Sequence, residues 1–154
     1  MPTVKTNEKD LPMIKKYFKY YVENKKKYGK IAQFWKCGSF FELYGLFDIN
    51  QNKFYGTDID KIAKILDYRV SNKTGKGAIS KIDLSDIFDN DTENKYLMMA
   101  GSSGGLKRNI DKLQKEGYIV LVYEQFDNPD SKKQSKIHKL DYITSIGTNF
   151  DSQH

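Results

Sequence analysis

The sequence is poor in the residues that build covalent or metal-held frameworks. Cys37 is the only cysteine in 154 residues, which excludes an internal disulfide and a cysteine-built zinc site and predicts a reducing compartment. The two histidines, His138 and His154, are too far apart in the sequence to predict a metal site or a catalytic base. No apolar run is long enough to cross a membrane, and no signal peptide is recognisable. We therefore expect a soluble, intracellular protein without metal or membrane segment.

Arginine is also scarce: of the 26 lysine and arginine residues, only Arg69 and Arg108 are arginine. The net charge of +6 therefore comes from lysine. Lysine suits attraction of phosphates better than bidentate recognition of bases. The composition favours nucleic acid as a partner, and the alternative is an ordinary lysine-rich surface.

The apolar patterns predict an α+β fold, in which one domain combines a mixed β-sheet with about three packed helices. The helices are expected to begin at Pro12, after a cap at Asp58, and near Leu106. Residues 118–126 are almost continuously apolar, which is typical of a central strand covered on both faces. The other predicted strands are 31–36, 40–46, 53–57, 68–71, 96–101 and 142–146.

Composition also predicts where the domain begins and ends. Residues 1–10 and 149–154 are polar and are expected to be tails, which leaves 11–148 as the folded domain. Within it, residues 72–94 mix Gly, Lys, Asp and Asn with scattered apolar positions, which predicts a long polar excursion.

The stretch FWKCGSFFELYG, residues 34–45, predicts a β-hairpin with a tight turn at Gly38-Ser39. Side chains alternate between the faces of a strand, so Phe40 and Glu42 share one face. If Phe41 and Leu43 fill the core, the opposite face presents an apolar wedge with a hydrogen-bond acceptor roughly 6–7 Å along the strand. The alternative is a half-exposed aromatic pair in an ordinary hairpin.

The order of six segments resembles the N-terminal mismatch-recognition domain of the MutS family of DNA mismatch repair proteins. In chain order they are LPMIKKYFKYY, QFWKCGSFFELY, KIAKILDYRVS, MMAGS, LVYEQFDNP and YITSIGT. The resemblance covers about residues 11–148, and its most specific part is the segment FWKCGSFFELY.

The resemblance implies that Phe40 enters the minor groove and stacks on a mispaired base, while Glu42 hydrogen-bonds the displaced base. A mispair resists an apolar wedge least, because its stacking and pairing are already weakened. Lys36, Lys107 and Arg108 are candidate contacts to the DNA backbone, and Ser39 is a further DNA-binding candidate.

Four places depart from the family pattern. Ser39 stands where the family usually has aspartate, and Ser102–Gly105 replace a proline-tyrosine-histidine stretch after Ala100-Gly101. The segment SIGT, residues 145–148, lacks the usual proline, and the excursion at 72–94 is long for the family. These departures predict a divergent member whose loop before Leu106 contacts DNA differently or serves only to open a helix.

The leading hypothesis is a noncatalytic module that binds duplex DNA at mispairs or small loops. The resemblance implies ATP and magnesium only for a longer parent protein, together with further MutS-like domains or a second MutS-like subunit. The alternative is a general nucleic-acid-binding or protein-interaction domain without mispair preference. A nuclease is disfavoured, since Asp58, Asp60 and Asp130 lack a second carboxylate-lysine strand to complete a metal site.

Overall fold

Three helices and a mixed β-sheet form the described part of the chain, so the predicted α+β domain is confirmed. The computed structural model describes residues 11–73, 84, 87–88, 95–127, 136–144 and 151–152. The predicted tail at 1–10, most of the excursion at 72–94 and the segment 145–148 lie outside these residues. The elements are α1 (Leu11–Tyr28), β1 (Ile31–Cys37), β2 (Phe40–Asp48), β3 (Lys53–Tyr55), α2 (Ile59–Leu66), β4 (Ser71–Asn72), β5 (Lys95–Ser102), α3 (Leu106–Lys115), β6 (Ile119–Asp127), β7 (Lys136–Thr144) and β8 (Asp151–Ser152).

Hydrogen bonds order the strands as β4-β5-β2-β1-β6-β7-β8, with β3 also paired to β2. β1 and β6 run parallel, whereas β1 and β2 form an antiparallel hairpin. β8 pairs with β7, so part of the segment expected to be a C-terminal tail belongs to the sheet. The domain divides into two compact units, one comprising the chain up to Lys27 with Tyr44–Ala100 and the other Tyr28–Leu43 with Gly101–His154.

In the first unit, α1 buries the apolar face that its spacing predicts. Ile14, Tyr17, Phe18 and Tyr21 are all at most 2% exposed. The Tyr17 ring meets the Tyr44 ring edge to face at 4.9 Å between centroids, and its hydroxyl accepts from the Tyr44 amide. Aromatic packing of this kind contributes beyond simple area burial, so it anchors α1 against the second half of β2.

The end of α2 explains why the strand predicted at 68–71 begins only at Ser71, the first residue of β4. Asp67 adopts a left-handed conformation with φ 57, and the Tyr68 amide donates to the Ala63 carbonyl at 2.8 Å. These are the bonds of a helix C-terminal cap, so Tyr68 is not available to a strand. At the other end, Asp58 holds the predicted N-cap position, but its side chain makes no capping hydrogen bond.

In the second unit, β6 is confirmed as a strand covered on both faces, because its consecutive residues 120–122 are at most 1% exposed. Ile110 and Leu113 of α3 are fully buried, as the predicted apolar face requires. The last predicted strand, 142–146, was placed too late in the sequence. β7 runs from Lys136 to Thr144, because β6 offers it a hydrogen-bonding partner along its whole length.

Candidate nucleic-acid interface

The candidate site is the β1–β2 hairpin of the second unit. Its register pairs Cys37 with Phe40 and Trp35 with Glu42, which leaves Gly38-Ser39 as a two-residue turn. Gly38 has φ 62 at the first central position, where a type II′ turn requires glycine. The sequence thus specifies a tight turn that ends directly at Phe40.

Phe40 is 49% exposed and is the one large hydrophobic side chain that is exposed among the described residues. Leu43 is 1% exposed, so its predicted place in the core is confirmed. Phe41 is only partly buried, however, and the expectation that it fills the core is wrong. It lies opposite Lys36, one residue pair from the turn of the hairpin, and the Lys36 Nζ lies 5.5 Å from the centre of its ring.

Side chains from β6 and β7 hold the backbone of the turn. The Gly38 amide donates to Oε1 of Gln125 at 2.7 Å. On the strand before the turn, Nε2 of His138 donates to the Lys36 carbonyl at 2.6 Å, since a carbonyl oxygen can only accept. Side chains of β6 and β7 therefore hold the backbone at Lys36 and at Gly38. These two residues flank Cys37, which pairs with Phe40.

Lys36 has its ammonium occupied within this unit. Its Nζ lies 3.1 Å from a carboxylate oxygen of Glu124, and both side chains are roughly one-third exposed or less, at 31% and 26%. It also belongs to the Phe41 face of the hairpin rather than the Phe40 face. Lys36 thus joins β1 to β6, and its contact with a phosphate stays a prediction.

An aromatic group supports the Glu42 end of the hairpin. Trp35, opposite Glu42, is fully buried and stacks on the His138 ring with centroids 4.1 Å apart and planes 19° apart. The Tyr123 ring lies 5.1 Å from Trp35 on the parallel strand. Phe40 therefore projects from the same face of the hairpin as this buried aromatic group.

Gly101 of β5 packs directly against the same hairpin. A methyl group in place of its hydrogen would lie 2.8 Å from the Phe41 carbonyl oxygen and 3.3 Å from Cγ of Glu42. Only glycine allows this approach, so the Ala100-Gly101 pair noted in the sequence has a steric reason. Gly101 thereby limits the space available to Glu42, which is itself partly buried.

The remaining candidates lie at the surface of the same unit. Ser39 is exposed in the turn, and Lys107 and Arg108 are exposed in the first turn of α3. The loop Ser102–Gly105 leads into α3 through Gly105, whose φ is 71, and Ser102 Oγ closes it through hydrogen bonds with Gly104. Lys107 and Arg108 follow Gly101 closely in sequence, and their charge is consistent with phosphate contacts.

The sequence analysis missed the side chains that support the hairpin. The sequence places Gln125 and Glu124 only within the segment LVYEQFDNP, and it offers His138 only as a candidate metal ligand or base. The signal for these partners was the run Tyr123–Gln125, which contains two polar residues directly after the apolar residues 119–122. Polar groups at such a position need partners, and here the hairpin backbone and Lys36 provide them.

Comparison of the sequence with protein-family models and with the curated proteins finds no match. Among the described residues, no group of three or more His, Cys, Asp or Glu side chains could hold a metal ion. No helix in the same residues is long and apolar enough to cross a bilayer.

Proposed function

We propose that this chain is a mispair-recognising DNA-binding module of the MutS type, in which Phe40 is a minor-groove wedge and Glu42 contacts a displaced base. The observation that carries the proposal is Phe40 itself, a large apolar side chain left 49% exposed at the tip of a braced hairpin. Exposing such a side chain costs solvation free energy, which an apolar ligand surface such as a base would recover.

The rigidity of the tip supports a wedge rather than a flexible contact. A wedge must separate stacked bases, which costs a few kcal/mol per base step. A side chain that first had to be ordered would lose part of its stacking free energy to entropy. Gln125 and His138 hold the turn in place before any ligand arrives, so that cost is reduced.

In this proposal, lysine and arginine side chains outside the hairpin contact the DNA backbone. Lys107 and Arg108 are exposed at the start of α3, and the chain carries a net charge of +6. Such contacts give affinity that is independent of sequence and falls with salt, whereas Phe40 and Glu42 distinguish a mispair from a matched pair. The module performs no chemistry of its own under this proposal, and ATP hydrolysis would belong to other domains of a longer protein.

The test compares the 154-residue chain on two fluorescent duplexes that differ only by one mispair or one unpaired nucleotide. We expect weak binding to the matched duplex, roughly 10⁻⁴ to 10⁻⁶ M, and tighter binding to the mispaired one. Phe40→Ala should remove the difference, while Phe54→Ala, a partly exposed phenylalanine on β3, serves as the matched control.

Equal affinity of the unsubstituted chain for both duplexes would refute mispair recognition and leave a general nucleic-acid-binding domain. Absence of salt-sensitive DNA binding would instead favour a protein contact, since exposed aromatic residues also anchor protein interfaces. Each outcome therefore selects one of the three functions.

A further inference from the structure

We infer that Gln125 is a positioning residue for the Phe40 wedge, so that preference for mispaired DNA depends on a side chain that need not touch DNA. The inference rests on the proposed function and deepens it. Gln125 reaches across from β6, and its Oε1 accepts the hydrogen bond of the Gly38 amide at 2.7 Å.

This hydrogen bond is placed where it can fix the direction of the Phe40 side chain. Gly38 is the first central residue of the turn, and Phe40 is the first residue of the strand that follows. With a turn of two residues, rotation about the Gly38 backbone changes the direction of Phe40 directly. Glycine is the most permissive residue in backbone conformation, so an external partner matters most here.

The strand that carries Gln125 is itself fixed. β6 lies between β1 and β7, and its residues Leu121 and Val122 are fully buried. Glu124, which precedes Gln125 and points to the other face of β6, forms an ion pair with Lys36. Its Oε1 lies 3.1 Å from the Lys36 Nζ. Gln125 thus transmits the position of a rigid strand to the turn, while the chain between Gly38 and Phe40 contains only Ser39.

A hydrogen bond of this type contributes a factor of roughly two to ten to a conformational equilibrium. Losing it would lower the fraction of molecules whose turn is ready for insertion, and apparent affinity scales with that fraction. Only binding that uses Phe40 would be affected. We therefore expect Gln125→Met, which keeps size but loses the acceptor, to lower mispaired-duplex affinity about two- to tenfold with matched-duplex affinity unchanged.

Gln125→Glu is the rescue variant, because a carboxylate still accepts from the Gly38 amide. Its added charge should weaken both duplexes by a similar factor and so preserve their affinity ratio. Gln114→Met is the matched structural control: Gln114 donates to Thr144 Oγ1 in the same unit, away from the turn. It should cost stability but leave the ratio intact.

The second measurement is hydrogen exchange at the Gly38 amide, without DNA, in the full 154-residue chain. We expect faster exchange in Gln125→Met, and parent-like exchange in Gln125→Glu and Gln114→Met. A lower affinity ratio in Gln125→Met with unchanged Gly38 exchange would overturn the positioning role, since Gln125 would then contact DNA itself. An unchanged ratio in Gln125→Met would also overturn it, provided that Phe40→Ala removes the ratio.

The failure of the proposed function has a different signature. If Phe40→Ala binds both duplexes like the parent chain, the wedge is wrong and Gln125 has no function to position, whatever Gly38 exchange shows. The Phe40→Ala arm therefore distinguishes the two failures.

Discussion

Substitution of three neighbouring residues in β2 by alanine should separate DNA recognition from folding stability. Leu43 is 1% exposed, Phe41 is partly buried and Phe40 is 49% exposed. Removing a fully buried leucine costs about 2–5 kcal/mol of unfolding free energy, because the cavity collapses only in part. For a domain of this size that corresponds to a fall in Tm of about 4–20 °C.

Phe40→Ala should behave in the opposite way. Its side chain contributes little to the fold, so the change in unfolding free energy should stay below about 1 kcal/mol. The loss of a base stacked on an aromatic ring is worth about 1–3 kcal/mol, which corresponds to a weakening of mispaired-duplex binding by roughly five- to 150-fold. Phe41→Ala should fall between the two in stability, since its ring loses the Lys36 contact as well as partial burial.

Urea unfolding followed by tryptophan fluorescence measures the first quantity, because Trp35 is the only tryptophan and lies within the hairpin. Fluorescence anisotropy of labelled duplexes measures the second. The reasoning is refuted if Phe40→Ala destabilises the fold as strongly as Leu43→Ala, or if the mispaired-duplex affinity of Phe40→Ala equals that of the parent.

Three further predictions concern Glu42, Gly101 and Tyr142. Glu42→Ala should change discrimination among mispairs more than total affinity, and an equal loss on matched and mispaired duplexes would contradict this role. Gly101→Ala should cost about 1–3 kcal/mol in urea unfolding through overpacking and reduce mispair preference, because its methyl group would press on Glu42; parent-like binding would show that Glu42 is not held there. Burial, followed by the charges of Asp141 and Glu124, raises the pKa of Tyr142 from 10.0 to about 12. This stabilisation is present below pH 10 and is lost as the pH rises towards 12, so Tyr142→Phe should show a smaller loss of stability across that interval, and an identical pH profile would refute it.

The sequence predicted the elements whose signals are local. The 3.6-residue spacing of apolar side chains fixed α1, and the Gly38-Ser39 turn fixed the hairpin, because both depend on neighbours in the chain. The strand predicted at 68–71, which begins only at Ser71, shows the limit of such signals. Tyr68 has a strand-forming side chain, but its amide is used by the cap of α2, and no local pattern reveals that competition.

The candidate site could be predicted only in part for the same reason. Alternation along β2 assigned Phe40 and Glu42 to one face, which the register with β1 supports. It could not show that Phe41, one residue pair from the turn of the hairpin, is only partly buried. Gln125 is 87 residues from Gly38, and His138 is 102 from Lys36. Such pairs depend on the sheet order, which the sequence did not predict.

Acidic side chains near a DNA-binding tip would ordinarily oppose the approach of phosphates, and this hairpin has two of them nearby. The two acids differ in their partners and in the face of the hairpin on which they lie. Glu124 is paired with Lys36 at 3.1 Å on the Phe41 face, so a cation within the unit lies beside its charge. Glu42 is on the Phe40 face and partly buried beside Gly101. Under the proposed function, only the second acid meets the ligand, and it does so at a base edge rather than at the backbone. Under that function the chain's net charge of +6 provides the long-range attraction, and Glu42 acts in selection.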